Sequence, residues 1–204
     1  MGQVVKLKSN PSNENRKVRP SKFSGRRYLT EREVERLLEA ARKSGRYGDR
    51  DSALILLGFR HGFRVSELVG LQWSQVDLQA ALLHVHRAKN GTPSVHPLTG
   101  RELRALRALQ RQALGSPFVF NTERGSGMTT DNVRKVLQRA ARAAGLLEGT
   151  PANPHALRHA CGFALANRGT DTRTVQSYLG HRSIQHTVRY TELAPGRFKG
   201  LFAD

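Results

Sequence analysis

The sequence predicts a mainly α chain with one small three-stranded antiparallel sheet, an α+β fold. Three observations carry that reading. Apolar residues recur at helical spacing in several separate segments, most of them closed by a glycine. A period of two is confined to one block near residues 76–98. Inside that block Asn90-Gly91 marks a tight turn between two strands.

The elements follow in order. Residues 1–28 read as a disordered basic arm: Lys6, Lys8, Arg16, Lys17, Arg19, Lys22, Arg26 and Arg27 face one acid, Glu14, with little apolar periodicity. Order begins at Thr30, which with Glu33 forms a capping box. Val34, Leu37, Leu38 and Ala41 then line one helical face, and Gly45 is a C′ stop. A second helix starts near Asp51 and carries the apolar SALILLGF, and a third covers residues 65–71. Three strands come next, at Val76, at 81–87 and at 94–98. In the second, Leu83, Val85 and Arg87 alternate with His84 and His86. Leu103, Leu106, Leu109 and Leu114 mark an amphipathic helix ending at Gly115, PFVF is a short buried segment, and a basic helix spans 131–144. Pro154 stands at N1 behind an Asn153 cap, opening a helix that runs to Gly169. Asp171 or Thr170 caps the next helix, which stops at Gly180, and Ser183 caps a last short helix through Tyr190. The segment APGRFKGLFAD reads as a turn and a short apolar stretch.

Composition narrows the function. The 204 residues hold 34 Lys+Arg against 16 Asp+Glu, a formal charge of +18. Of the basic residues 26 are Arg and 8 Lys, and Arg forks onto phosphate oxygens where Lys is a point charge. That excess points to a polyanion, most simply nucleic acid, although a basic protein without such a partner shares it. The single cysteine, Cys161, excludes an intramolecular disulfide, so a disulfide-built secreted scaffold is out; a buried structural thiol is expected there. No apolar run approaches a membrane span, and the first residues carry no apolar signal core. A soluble intracellular chain is expected.

Several residues could carry chemistry, and each has a plainer reading when taken alone. Arg64, in HGFRVSEL, opens a helix with Glu67 one turn on, placed to hold its guanidinium; an ordinary surface pair looks the same. In PHALRH, His155 and Arg158 share a face, with His159 at i+4 from His155. Two histidines so spaced invite a metal, but the Glu of an H-E-x-x-H site is missing and Arg158 repels a cation. His181 follows the helix-stopping Gly180, and Tyr190 comes nine residues later, where a tyrosine is commonly core. Lys89 precedes the Asn-Gly turn, a usual place for a solubilising lysine.

Together they form a set suited to phosphodiester transesterification without metal. Two guanidiniums hold the non-bridging oxygens, imidazoles donate hydrogen bonds and take a proton, a lysine protonates the departing 5′ oxygen, and a tyrosine attacks phosphorus.

From about Leu29 to Tyr190 the sequence resembles the tyrosine recombinase (phage integrase) family, on HGFRVSEL, HALRH, LGH and the S-x-x-x-T-x-x-Y that ends at Tyr190. Within it, the stretch from HACGF to APGRF is similar to the short recombinases that invert fimbrial promoter DNA in phase variation. The resemblance implies a tyrosine recombinase catalytic domain over 29–204, without the N-terminal core-binding domain of ordinary members. It implies that Arg64 and Arg158 clamp the scissile phosphate and Lys89 is the general acid. His155 would assist proton transfer, His181 donate to the phosphate, Tyr190 be the nucleophile and Glu67 support Arg64, with His159 a supporting residue. No metal, nucleotide or redox cofactor is implied. The partners implied are double-stranded DNA with inverted-repeat sites, a tetramer of this chain on DNA and accessory DNA-bending proteins, in the cytoplasm and without a membrane. Leu193, Phe198, Leu201 and Phe202 are expected to dock on a neighbouring protomer. Two other readings stay open: a type IB topoisomerase-like nicking-closing enzyme, and a DNA-binding regulator without strand exchange. A metal-dependent hydrolase built on His155, His159 and His181 ranks below them.

Overall fold

Side-chain caps open several of the helices. The computed structural model describes residues 28–88, 91–113, 115–146 and 149–192. Helix α1, Glu31–Lys43, opens on the Thr30–Glu33 capping box and buries Val34, Leu37, Leu38 and Ala41. Packing extends slightly before Thr30: Leu29 is buried, and the Tyr28 ring stacks on Phe163 at 3.8 Å.

Helix α2, Gly48–Arg60, is apolar all round in its second half and forms the centre of the core, against α1 and the later helices Gly100–Gln112 and Pro154–Asn167. It starts before the expected Asp51. Asp51 is no cap: its carboxylate is buried, bonded to Arg50 at 2.8 Å and to the distant Arg139. Helix α3 is Val65–Val69, and a 3-10 turn at Trp73–Gln75 leads into the sheet.

The sheet has the expected three antiparallel strands, β1 Val76–Asp77, β2 Leu82–Val85 and β3 Ser94–Pro97, in that order. Its register pairs Val76 with Leu83, Leu83 with His96 and Val85 with Ser94. Leu83, Val85 and His96 point into the core, and His84 and Val95 outward. Pairing of β2 ends at Val85, two residues sooner than expected, yet Arg87 keeps the inward phase and is buried. Asn90 of the expected turn lies outside the described residues.

Helix α4, Gly100–Gln112, is capped by Thr99 with Glu102, and α5, Thr130–Ala143, by Thr129 with Asn132. Val119 and Phe120 of the PFVF segment are buried. Helix α6, Pro154–Asn167, has Pro at its start and the Asn153 side chain accepting from the Ala156 N–H at 3.0 Å. It is buried on nearly every side, against α2, α7 and α8. Asp171 rather than Thr170 caps α7, Thr172–Leu179. That helix ends at Gly180 in the left-handed region, φ 62°. Helix α8, Gln185–Glu192, runs two residues past Tyr190, and Ser183 Oγ accepts from the Gln185 N–H at 3.3 Å. The expected basic arm before Tyr28 and the expected docking segment after Glu192 lie outside the described residues. Among the described residues no helix is long and apolar enough to cross a membrane.

Candidate active site

The site is built where the α2–α3 turn, the end of β2, helix α6 and the α7–α8 turn meet. Arg64 is the N-cap residue of α3. Its backbone N–H donates to Glu67 Oε2 at 2.9 Å, and its Nη1 donates to Glu67 Oε1 at 2.6 Å. Glu67 is not a surface partner. Its side chain is 2% exposed and also accepts from the Ala88 N–H at 2.9 Å and from Arg87 Nη1 at 3.1 Å. Burial alone would raise the Glu67 pKa. The bonds from Arg64 and the charge of Arg87 outweigh it and hold the carboxyl below its ordinary value.

Arg158, on the face of α6 that meets this turn, is buried. Its Nη1 donates to the Gly62 carbonyl, and its Nη2 donates to the Leu179 carbonyl at 2.7 Å. One guanidinium therefore ties the backbone two residues before Arg64 to the backbone two residues before His181. Burial, then the charges of Arg64 and Arg87, bring the Arg158 pKa down to about 10. The group remains a cation at neutral pH.

His181 lies just past Gly180. Its Nδ1 is 2.8 Å from Thr187 Oγ1, on the first turn of α8. Burial, then Arg158 and Arg64, push its pKa down to about 3, so the ring is neutral with one N–H to donate. Tyr190 is buried at 2% exposure, its ring edge-on to Phe163 at 5.1 Å. Burial raises its pKa, against the pull of Arg158 and Arg189, and the oxygen rests as a neutral phenol. That oxygen is 2.9 Å from His159 Nδ1. His155 is exposed and meets His159 edge-on at 4.2 Å; burial of part of its ring, then Arg158, lowers its pKa.

Arg64, His155, Arg158, His181 and Tyr190 are thus brought to one region around Arg158, whose charge lowers the pKa of His155 and His181 and pulls on that of Tyr190, and which itself feels Arg64. Lys89 lies outside the described residues. Two residues gain importance from the structure. His159, expected to be support only, touches the Tyr190 hydroxyl directly. Arg87 is wholly buried and clamped on Glu67. Its place in the sequence alternation with Leu83 and Val85 is the available signal. Cys161 is buried as expected, and that burial raises its pKa to about 12. Among the described residues no three His, Cys, Asp or Glu side chains could together hold a metal ion.

The neutral histidines predict an acid sensitivity. The native state holds His181, and the buried His96 of β3, at a pKa of about 3 against an ordinary 6.5. For His96 the causes are burial, then the nearby His61 and Arg87. The unfolded chain binds these protons first, so their contribution is whole above the unfolded pKa and is lost as pH falls below it. Melting temperature should therefore already fall between about pH 6.5 and 5, above the carboxylate range. His181→Asn should flatten that part of the profile. An equally steep profile in the variant contradicts the assignment.

The chain is similar to known proteins over most of its length. The phage integrase family model matches residues 27–197. Type 1 fimbriae regulatory protein FimE of Escherichia coli strain K12 is 43% identical over 186 residues, 88% of this chain and 92% of FimE. Tyrosine recombinase XerD of Ralstonia nicotianae is 37% identical over 86% of this chain and 59% of its own. The crystal structure of XerA recombinase matches with TM-score 0.72 and 28% identity, over 84% of this chain and 62% of XerA. The chain thus spans about three fifths of XerD and of XerA, and most of FimE. A family match across the whole helical domain, with this identity to FimE and XerD, shows that the chain belongs to the phage integrase family and is a tyrosine site-specific recombinase.

Proposed function

We propose that the chain inverts a promoter-bearing DNA segment between inverted-repeat sites, cutting and rejoining each strand through a 3′-phosphotyrosyl ester on Tyr190. The observation that carries the chemistry is the single Arg158 guanidinium joining the Arg64 turn to the His181 turn, with Tyr190 on the helix that follows. Arg64 and Arg158 bind the two non-bridging oxygens and offset the charge that builds on them in the transition state. With Nδ1 accepting from the Thr187 hydroxyl, neutral His181 donates its one N–H, at Nε2, to the same phosphate. Tyr190 Oη forms the bond to phosphorus as its proton passes to His159, whose Nδ1 is 2.9 Å away, and His155, edge-on to His159, assists the transfer. The bond to the 5′ oxygen breaks, and that oxygen takes a proton from Lys89, two residues beyond Arg87 in the chain. Attack by a partner strand's 5′-hydroxyl reverses the step and returns the phenol. No redox or nucleotide cofactor enters this scheme.

Similarity to a fimbriae regulatory protein supports inversion of a fimbrial promoter. Four protomers would act on two sites in the cytoplasm, helped by DNA-bending proteins. The basic segment before Leu29 would add phosphate contacts. Binding would weaken steeply with salt, since each phosphate contact releases counterions.

The test is a supercoiled plasmid carrying such a segment between the host's own inverted repeats, incubated with chelator. Inversion by the wild type and none by Tyr190→Phe is the expected result. Relaxation that ignores the repeats, without inversion, would replace this reading with a nicking-closing enzyme.

A further inference from the structure

Arg87 has no role in the scheme above, yet it is built into the site more tightly than the groups that have one. Its side chain is 0% exposed. Nη1 donates to Glu67 Oε2 at 3.1 Å, and Nη2 donates to the His61 carbonyl at 3.0 Å and to the Tyr178 carbonyl. The chain opens a channel for its stem. A Cβ on Gly180 would lie 2.5 Å from Arg87 Cγ, and one on Gly91 would lie 2.7 Å from Arg87 Cβ. Such a buried ion pair is poor value as packing. An apolar residue at this buried position just past β2 would serve the core as well or better. Arg87 Nε, moreover, is buried with no hydrogen-bond partner among the described residues. Three guanidiniums, Arg64, Arg87 and Arg158, gather around one carboxylate, Glu67. That surplus of positive charge suits an anion.

The contacts define what Arg87 can do. Through Glu67 it fixes Arg64, because the two arginines hold opposite oxygens of one carboxylate. Through the Tyr178 carbonyl it fixes the last turn of α7, three residues before His181. Through His61 it fixes the turn whose Gly62 carbonyl receives Arg158. We infer that Arg87 is a positioning residue for DNA cleavage, one that sets Arg64 and His181 on the same phosphate without touching it. This rests on the recombinase reading of the site.

The test compares one protein on two substrates. Nicked suicide duplexes carry at the scissile position either the normal phosphodiester or a methylphosphonate, in which a methyl group replaces one charged non-bridging oxygen. The neutral linkage needs less help from well-placed cations. Arg87→Met should form covalent adduct about 10²-fold more slowly than wild type on the phosphodiester, and recover to within about tenfold of it on the methylphosphonate. Arg87→Lys keeps the charge beside Glu67 but cannot fork to two carbonyls. It should show the same pattern with a smaller loss, about tenfold, on the phosphodiester. Because each ratio is taken within one protein, a reduced folded fraction cancels. Equal losses on both substrates, in both variants, would make Arg87 structural only and overturn the proposal. Wild type that forms no adduct with either substrate would bring down the recombinase reading itself, and the proposal with it.

Discussion

Arg158→Ala is expected to slow strand cleavage by about three orders of magnitude while the domain stays folded. The guanidinium is buried and holds the Gly62 and Leu179 carbonyls, so its place relative to Arg64 and His181 is fixed before DNA arrives. Preorganised charge of this kind costs no rearrangement during the reaction, which is why its loss falls on the rate. Two hydrogen bonds from a charged donor disappear as well, at about 1.5–3 kcal/mol each. Relief of repulsion from Arg64 and Arg87, which depress the Arg158 pKa, offsets part of that cost. Arg158→Lys keeps the charge without the fork and should lie about tenfold above the alanine variant. Single-turnover adduct formation at saturating DNA measures both. Cleavage by Arg158→Ala within tenfold of wild type would remove Arg158 from the phosphate clamp.

Glu67→Ala should cost about 3–5 kcal/mol of stability. It strands Arg87, whose side chain is 0% exposed, and it frees Arg64 and the Ala88 N–H together. Glu67→Gln keeps the shape and one acceptor and should cost roughly half as much. Because the Glu67 pKa is lowered, its contribution is present above the ordinary 4.5 and is lost as pH falls below that value. Denaturant unfolding of both variants at neutral pH and near pH 4 checks size and sign. The gap between wild type and Glu67→Ala should narrow in acid. A gap that stays constant would mean the carboxylate charge is not what holds Arg87.

What could be read from the sequence was local. Thr30–Glu33, Asn153-Pro154, Asp171 and Gly180 each announce a helix end within a few residues, and the structure uses all of them. Leu83 and Val85 gave the inward face of β2. What the sequence hid depends on distant partners. Asp51 reads as a helix start because nothing nearby shows Arg139, 88 residues on, neutralising it. Tyr28 reads as part of a basic tail because Phe163, on which it stacks, belongs to α6. His159 reads as support because its contact with Tyr190 spans 31 residues. Arg87 sits between these cases. Its inward phase was legible, but an arginine in an alternating strand looks like an outward residue until Glu67 and the Tyr178 carbonyl are seen around it.

The central claim is that Tyr190 is the nucleophile, and covalent trapping tests it most directly. Wild type and Tyr190→Phe are incubated with a nicked suicide duplex from the host's inverted repeats, in the presence of chelator, and resolved under denaturing conditions. The site described here predicts a protein–DNA adduct with wild type, its phosphodeoxynucleotide mapping to the peptide that holds Tyr190, and none with Tyr190→Phe at equal DNA binding. An adduct that survives Tyr190→Phe, or maps to another residue, would contradict it.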